Sequence, residues 1–286
     1  MIESIRKSDP SVLLLDGGTV FDGNKVTAEL QLQAMGLMRY DALNLGSPEF
    51  TFGKGFLEQT RSKISFPYIS SNLLDSGGRI PWTREYVIKE VGGIQVAILG
   101  ILDPDGLTRL PDREQLKGLE ALPPEAVLNR LLPEVRGKAD LVILLSQFDV
   151  ENTLALVQAV KGIDVAISSA SDNVFFPPAT EKETAVLLQT GSQGKTLGLL
   201  KIALDEKRTL RVSEKKYIPL DNAVPENQEI AGLVATFKKA HETEQEKLRR
   251  EQQEKIRKEQ METLRLSPKE FMERYRKEQT GTGGTR

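Results

Sequence analysis

Cysteine is absent from the sequence, and histidine occurs once in 286 residues. The missing thiols exclude disulfide bonds, thiolate zinc sites, iron–sulfur clusters, covalently attached haem and a cysteine nucleophile. The single histidine, His241, lies in the most highly charged stretch, where a solvated helix position is expected rather than a catalytic one. The sequence therefore disfavours any site that needs several imidazoles.

An excess of one charge and long apolar runs are also missing. The 39 Lys and Arg residues nearly balance the 41 Asp and Glu residues, so composition does not indicate a nucleic-acid or anionic-membrane partner. The longest apolar run, residues 96 to 102, has the length of a strand and is far shorter than the roughly 20 residues of a membrane span. The N-terminus MIESIRKSDP lacks the apolar centre of a secretory signal, which leaves the cellular location open.

Short apolar runs alternate with amphipathic stretches over the first 220 residues. Several runs are apolar throughout, as expected of strands covered on both faces, and Gly92-Gly93 predicts a hairpin turn. This alternation predicts a layered α/β domain. Helices are predicted at 27 to 39, 124 to 136 and 151 to 161. Strands are predicted at 11 to 16, 41 to 46, 66 to 72, 86 to 91, 94 to 101, 139 to 146, 163 to 168, 184 to 190 and 197 to 205.

The character of the sequence changes after Asp221. Apolar residues at helical spacing in 229 to 240 predict a helix that docks on the domain. Residues 242 to 263 are mostly charged, with opposite charges at i,i+4 spacing, and predict an exposed helix. A coiled coil stays open as the alternative, although a sustained heptad is missing. Ser267-Pro268 predicts the start of a further short helix, from 268 to 278.

These features predict three regions. Residues 1 to 222 form the α/β domain, 223 to 240 a docking helix, and 241 to 286 a charged helical extension with a flexible tail. Two glycine-rich stretches do not predict nucleotide binding. GSQGKT at 191 to 196 lacks the first P-loop glycine and precedes a strand, and DGGTVFDG at 16 to 23 lacks the dinucleotide-binding spacing.

Several sequence blocks at predicted strand ends match one family in order and spacing. The chain resembles the calcineurin-like metallophosphoesterases, in particular the 5'-nucleotidase and UDP-sugar hydrolase branch, over roughly residues 1 to 240. The resemblance implies an α/β/β/α metallophosphatase-like sandwich, here with a charged C-terminal helical extension. The blocks are 13 to 23 (LLLDGGTVFDG), 40 to 53 (YDALNLGSPEFTFG), 66 to 75, 86 to 101, 139 to 147, 160 to 173 and 187 to 205.

The resemblance also implies a site that holds two divalent metals about 3.5 to 4 Å apart. The family's bridging aspartate corresponds to Thr19, and its asparagine and histidine pair corresponds to Ser47 and Pro48. Gln147 stands for the next histidine, and Ala170 falls in the family's second histidine loop. A hydroxyl poorly replaces a carboxylate shared by two cations, and proline and alanine offer no ligand atom.

Three acidic residues remain as weak metal candidates. Asp172 is a plausible isolated ligand, whereas Asp16 and Glu49, retained from the family pattern, are expected to brace the loops. The family's first strand, with its Asp-x-His pair, has no counterpart in the sequence.

The resemblance supports three competing hypotheses. The favoured one is a non-catalytic metallophosphoesterase-like scaffold or binding module without catalytic residues or cofactor. The second is a metal-dependent phosphoesterase of 5'-nucleotidase type with a rebuilt oxygen-only site. The third is a subunit whose missing strand is supplied by another chain. The predicted partner is a protein bound through the C-terminal helix or that strand edge, and a periplasmic or extracellular location is implied by resemblance only.

Overall fold

The fold is seen in a computed structural model that describes residues 1–75, 80–112, 114–170, 174–175, 185–206 and 209–265. The chain divides into two compact units, residues 1–230 and residues 231–286. The α-helices of the described residues are α1 (Ile2–Ser8), α2 (Lys25–Leu37), α3 (Gly53–Arg61), α4 (Pro104–Thr108), α5 (Pro124–Arg136), α6 (Val150–Ala159) and α7 (Gln228–Arg265). Short 3₁₀ helices cover Ser47–Phe50 and Glu114–Leu116.

The strands of the described residues form four sheets. Their order is β11-β12-β10-β9-β7-β6 in the largest sheet, β1-β2-β3 and β5-β4-β8 in two three-stranded sheets, and β13-β14 in a hairpin. The strands are β1 (Leu15–Asp16), β2 (Ala42–Asn44), β3 (Tyr68–Ile69), β4 (Leu73–Asp75), β5 (Ile80–Pro81), β6 (Tyr86–Val91), β7 (Ile94–Ile101), β8 (Leu119–Ala121), β9 (Leu141–Ser146), β10 (Val165–Ser168), β11 (Val174–Phe175), β12 (Val186–Thr190), β13 (Thr196–Leu204) and β14 (Leu210–Pro219).

The six-stranded sheet is the centre of the first unit. Strands β7, β9, β10 and β12 run parallel, while β6 and β11 pair antiparallel at its two ends. Every residue of β9 is buried, because the sheet is covered on both faces. Its register aligns Ile101 with Ser146, and Ser146 with Ser168. The loops that follow β7, β9 and β10 therefore leave the sheet side by side.

Packing on the two faces of this sheet produces four layers. One face packs against α5 and α6 through Leu128, Leu131 and Val157. The other face shares a buried cluster with Ala42 and Ile69 of the β1-β2-β3 sheet. Helices α2 and α3 cover the outer side of that second sheet in a further cluster. The predicted α/β/β/α sandwich is confirmed.

The long uniform elements were predicted closely, and the short ones were not. Helix α5 and strands β6 and β7 match their predicted bounds, and Gly92 and Gly93 have the positive φ angles of the predicted turn. The predicted strand 11 to 16 is shorter, because the Leu14 N–H donates to the Asp41 carboxylate and the ladder begins one residue later.

Other differences concern position and continuity. The predicted strand 66 to 72 narrows to β3, since Ser70 and Ser71 donate their N–H groups to the carbonyls of Arg84 and Gly100. The stretch GSQGKT precedes β13, as predicted. The two helices predicted after Asp221 are instead one continuous helix, α7, because no glycine or proline interrupts residues 233 to 265.

Three further outcomes concern the C-terminal helix, membrane spans and the division into regions. The predicted helix from 268 to 278 lies outside the described residues. In the part of the chain that the structure describes, no helix has the length and apolar character needed to cross a membrane. The three predicted regions stay a prediction.

Candidate functional site

The candidate site lies where loops from the two stacked sheets meet at the carboxyl ends of their strands. The buried Asn44, at the end of β2, donates its side-chain N–H groups to the carbonyls of Gly17 (3.0 Å) and Ile101 (2.9 Å). The Ser169 hydroxyl, following β10, donates to the same Gly17 carbonyl at 3.0 Å and to the Ser146 carbonyl at 3.1 Å. These bonds bring the loops after β1, β2, β7, β9 and β10 together.

The carboxylate of Glu49 joins two of these loops. Its side chain is fully buried, and its oxygens accept backbone N–H groups at 2.6 Å from Val20 and 3.1 Å from Thr19. It also accepts the N–H groups of Gly46 at 2.8 Å and Phe21 at 3.4 Å. Four donors thus saturate the two oxygens, so this carboxylate crosslinks the β1 and β2 loops.

Thr19 occupies a strained position in the β1 loop. Its φ angle is 66°, in the left-handed region that a β-branched residue rarely adopts. The neighbouring bonds hold it there, since its N–H binds Glu49 and its hydroxyl donates to the Ser169 carbonyl at 3.2 Å. Such conformations persist where the surrounding structure enforces them, and they concentrate at functional sites.

The side chain of Gln147 fills the space between the β2, β7 and β9 loops. Its Oε1 accepts the N–H groups of Ser47 (3.1 Å) and Asp103 (2.9 Å). Its Nε2 donates to the Ser47 hydroxyl at 2.6 Å. A Cβ atom added at Gly46 would lie 3.1 Å from Gln147 Cδ, so the packing here is close. The Gln147 side chain therefore links the Ser47 hydroxyl to the backbone of the β2 and β7 loops.

The remaining predicted site residues have different surroundings. Pro48 is half-buried within the 3₁₀ helix Ser47–Phe50, and Ala170 is exposed at the end of the β10 loop. Asp172 lies outside the described residues. Thr19, Ser47 and Gln147 are thus brought to one edge of the sandwich.

Burial changes the electrostatics of both retained acidic residues. It raises the pKa of Glu49 to about 7, although the N–H groups of Val20, Thr19 and Gly46 oppose this shift. It also raises the pKa of the half-buried Asp16 to about 6, against the opposing effect of the Gly18 N–H. The negative charge of Asp16 adds a small further increase at Glu49.

Some known proteins are similar to this chain in sequence and others are similar in fold. No protein-family profile matches the chain. Human 5'-nucleotidase is 27% identical over 270 residues, which cover 80% of this chain and 44% of that protein. The chain also superposes on the calcineurin-like phosphoesterase YfkN of Bacillus subtilis with a TM-score of 0.70 and 22% identity, covering 87% of this chain and 88% of that structure.

The 5'-nucleotidase precursor of Thermus thermophilus gives a TM-score of 0.71 at 21% identity, covering 85% of this chain and 52% of that structure. In sequence and in fold, the chain is thus similar to proteins of the 5'-nucleotidase branch of the calcineurin-like metallophosphoesterases. It spans less than half the length of its human relative.

The described residues at this edge do not fit the two-metal centre that the metallophosphoesterase family implies. Each oxygen of Glu49 already accepts two N–H groups, and Gln147 Nε2 and the Ser47 hydroxyl are bonded to each other. Within the described ranges, no three His, Cys, Asp or Glu side chains lie close enough to hold an ion. A dinuclear centre needs a shared carboxylate and several imidazole or amide ligands, and the described residues of this edge do not supply that set.

The sequence analysis did not identify three residues that hold this edge together. Asn44, Asp103 and Ser169 connect the loops, yet each stands in an ordinary strand-end context. Asn44 could have been identified from the sequence, because it is a polar residue inside the apolar run DALNLG and a buried amide needs hydrogen-bond partners.

Proposed function

We propose that this metallophosphoesterase domain is a non-catalytic scaffold or binding module. The observation that carries the proposal is the bonded pair of Ser47 and Gln147, which stand at two ligand positions of the family pattern. The Gln147 amide bonds the Ser47 hydroxyl at 2.6 Å and the backbone on both sides of it. A side-chain crosslink therefore occupies the place where ligands would converge on a cation.

Glu49 supports the same proposal. A carboxylate that coordinates a metal must direct a lone pair at the ion, but the oxygens of Glu49 receive four N–H groups from the protein's own loops. Freeing one oxygen would leave buried N–H groups without acceptors, at a cost of about 1 to 3 kcal/mol for each group. In this proposal, the Glu49 carboxylate holds the β1 and β2 loops together and does not coordinate an ion.

The test measures metal content and turnover in one preparation. The protein is purified with added Mn²⁺, Zn²⁺ and Mg²⁺, dialysed, and analysed for bound metal. It is then assayed for phosphate release from nucleotides, UDP-sugars and aryl phosphates. We expect substoichiometric metal and no turnover above the rate without protein.

Stoichiometric metal with metal-dependent phosphate release would overturn the proposal in favour of the rebuilt phosphoesterase. The informative variants in that event are Asp16→Asn and Asp172→Ala. Loss of release in either variant would identify a carboxylate ligand. The variant Asp105→Asn is a matched control, since the exposed Asp105 lies on α4.

A periplasmic or extracellular location belongs to the same proposal. It is supported by the precursor form of the similar Thermus thermophilus 5'-nucleotidase. Fractionation of cells that express the full-length gene, followed by immunodetection, tests it. Recovery in the cytosolic fraction would contradict the proposed location.

A further inference from the structure

Aspartate is followed directly by glycine three times in the sequence, at residues 16–17, 22–23 and 105–106. An aspartate in this context readily forms a cyclic imide with the next residue, because glycine has no Cβ atom to keep its backbone nitrogen away from the carboxyl group. The reaction requires that the backbone of the pair can rotate until this nitrogen reaches the carboxyl carbon. The fold restrains the three pairs to different degrees.

The pair Asp16-Gly17 is fixed at the candidate site. Gly17 is buried, and its carbonyl accepts the Asn44 amide and the Ser169 hydroxyl, each at 3.0 Å. A Cβ atom added to Gly17 would lie 2.8 Å from Ser169 Cβ, so side chains also enclose this peptide. Rotation of the pair would leave buried polar groups without partners, and the fold therefore protects it.

The pair Asp105-Gly106 lies inside helix α4. The Asp105 carbonyl accepts the Arg109 N–H at 3.1 Å, so the helical backbone holds the pair. Gly106 also packs closely against the site, because a Cβ atom added to it would lie 2.5 Å from the Ser47 hydroxyl oxygen. Helix α4 must therefore open locally before this pair can rearrange.

The pair Asp22-Gly23 is exposed in the loop between β1 and α2. Gly23 has a φ angle of 86°, and a Cβ atom added there would meet no described atom within 4 Å. Within the described residues, no hydrogen bond holds the N–H or the carbonyl of Gly23. The Asp22 carboxylate accepts the Asn24 N–H at 3.0 Å, which keeps the carboxylate turned towards the backbone that follows it. This pair is therefore free to rotate, with its reacting groups close together.

We propose that Asp22 is a site of spontaneous isomerisation to isoaspartate, through a succinimide formed with Gly23. The Gly23 nitrogen attacks the Asp22 side-chain carbon Cγ and forms a C–N bond, and its proton leaves with the carboxyl hydroxyl as one water molecule. A solvent water then adds to a ring carbonyl. Addition at the main-chain carbonyl carbon breaks its bond to the Gly23 nitrogen, so the chain continues through Cγ and the α-carboxylate becomes free. This inference goes beyond the proposed function, because neither a metal nor a partner takes part.

Isomerisation of Asp22 changes the start of helix α2. It adds one carbon atom to the backbone before Asn24 and disrupts the bond from the Asn24 N–H to the Asp22 side chain. Asn24 is the N-cap residue, and its side chain accepts the N–H groups of Val26 (2.9 Å) and Thr27 (3.1 Å). Because a displaced N-cap stabilises a helix less, amide exchange at Val26 and Thr27 should become about fivefold faster.

The experiment ages the full chain for several weeks at mildly acidic pH and physiological temperature. Samples are digested with an endoproteinase that cleaves before aspartate but not before isoaspartate, and mass spectrometry locates the resistant positions. Isoaspartate should accumulate at Asp22 about tenfold faster or more than at Asp16 or Asp105, because those two pairs must first open locally. In concentrated urea, where the fold is lost, the three pairs should convert at similar rates.

Two matched variants assign the signal. Asp22→Glu should abolish isoaspartate at this position, because glutamate must close a larger ring and does so more slowly. It should also abolish the faster amide exchange at Val26 and Thr27 after ageing. The control Asp105→Glu, at an exposed position of α4, should age as the unmodified protein does. Circular dichroism verifies that both variants are folded.

Three outcomes would overturn the inference. These are absence of isoaspartate at Asp22, equal accumulation at Asp16 or Asp105 in the folded protein, and an unchanged preference for Asp22 in urea. The first excludes the modification, and the other two show that the fold does not select its position.

Discussion

Replacing Glu49 with glutamine puts an amide NH₂ group against two backbone N–H groups, whichever way the amide turns. Each carboxylate oxygen accepts two N–H groups, and an amide nitrogen cannot accept any. We expect Glu49→Gln to lower the free energy of unfolding by about 3 kcal/mol in urea denaturation. The control Glu58→Gln, on the exposed face of α3, should change it by less than about 0.5 kcal/mol. Equal stability of the two variants would show that Glu49 does not join the loops.

The same residue makes stability depend on pH. The pKa of Glu49 is about 7 in the folded protein, against an ordinary value of 4.5. The native state therefore binds more protons between these values, and its stability is full below pH 4.5 and falls as pH rises through 7. The loss attributable to Glu49 is about 3 kcal/mol, and the raised pKa of Asp16 acts in the same direction.

Urea denaturation between pH 4.5 and 8 measures this dependence. The curve for Glu49→Gln should be flatter than that of the unmodified protein, because the variant retains only the Asp16 contribution. Parallel curves would contradict the raised pKa of Glu49.

Individual site residues differed in how far the sequence could predict them. The substitutions at Thr19, Ser47 and Gln147 could be predicted from the sequence, because its resemblance to the metallophosphoesterases implies ligands at those positions. The bond between Ser47 and Gln147 joins residues 100 positions apart and depends on strand register. A local sequence pattern cannot predict a contact between residues so far apart in the chain. It cannot predict the left-handed backbone of Thr19 either.

Among the secondary-structure elements, the β6-β7 hairpin gives the sharpest test. Gly93, at its turn, has a φ angle of 78°, which a side chain disfavours, so Gly93→Ala should cost about 1 kcal/mol. Gly55 lies in α3, where an added Cβ meets no atom within 4 Å, so Gly55→Ala should stabilise by up to about 1 kcal/mol. Thermal unfolding should show a lower melting temperature for Gly93→Ala and a higher one for Gly55→Ala. A shift in the same direction for both variants would contradict the predicted role of Gly93 in the turn.

Element prediction succeeded where periodicity extends over many residues. The apolar runs predict β7 and β9, and the helical spacing predicts α5, to within a few residues at each end. The two- and three-residue strands β4, β5 and β8 give no comparable pattern, because tertiary pairing defines them. In α3, Gly53 and Gly55 obscured a helix whose Phe56 and Leu57 are buried.

The whole molecule is expected to be monomeric in the absence of a partner. Apolar residues are too sparse in the charged part of α7 for a coiled-coil seam, and opposite charges four residues apart stabilise a single helix. Sedimentation velocity should give the mass of one chain from micromolar to about 100 micromolar concentration. A concentration-dependent increase in mass, abolished by Leu248→Glu and Ile256→Glu, would establish the coiled-coil alternative.

The fold of the first unit was predictable because element order and strand-end blocks agreed with one architecture. The function was less predictable, since identical layers support a reactive edge or an inert one. In the proposed function, Thr19, Ser47 and Gln147 carry that difference through the contacts that they make after folding.

Successive N–H groups of Thr19, Val20 and Phe21 form a concave, electropositive nest of the kind that binds anions. The carboxylate of the chain's own Glu49 already occupies this nest and blocks other anions from it. An external phosphate or carboxylate must compete with a tethered ligand whose effective concentration is of millimolar order or higher. Free anions at lower concentrations should therefore leave the amide exchange of these three residues unchanged.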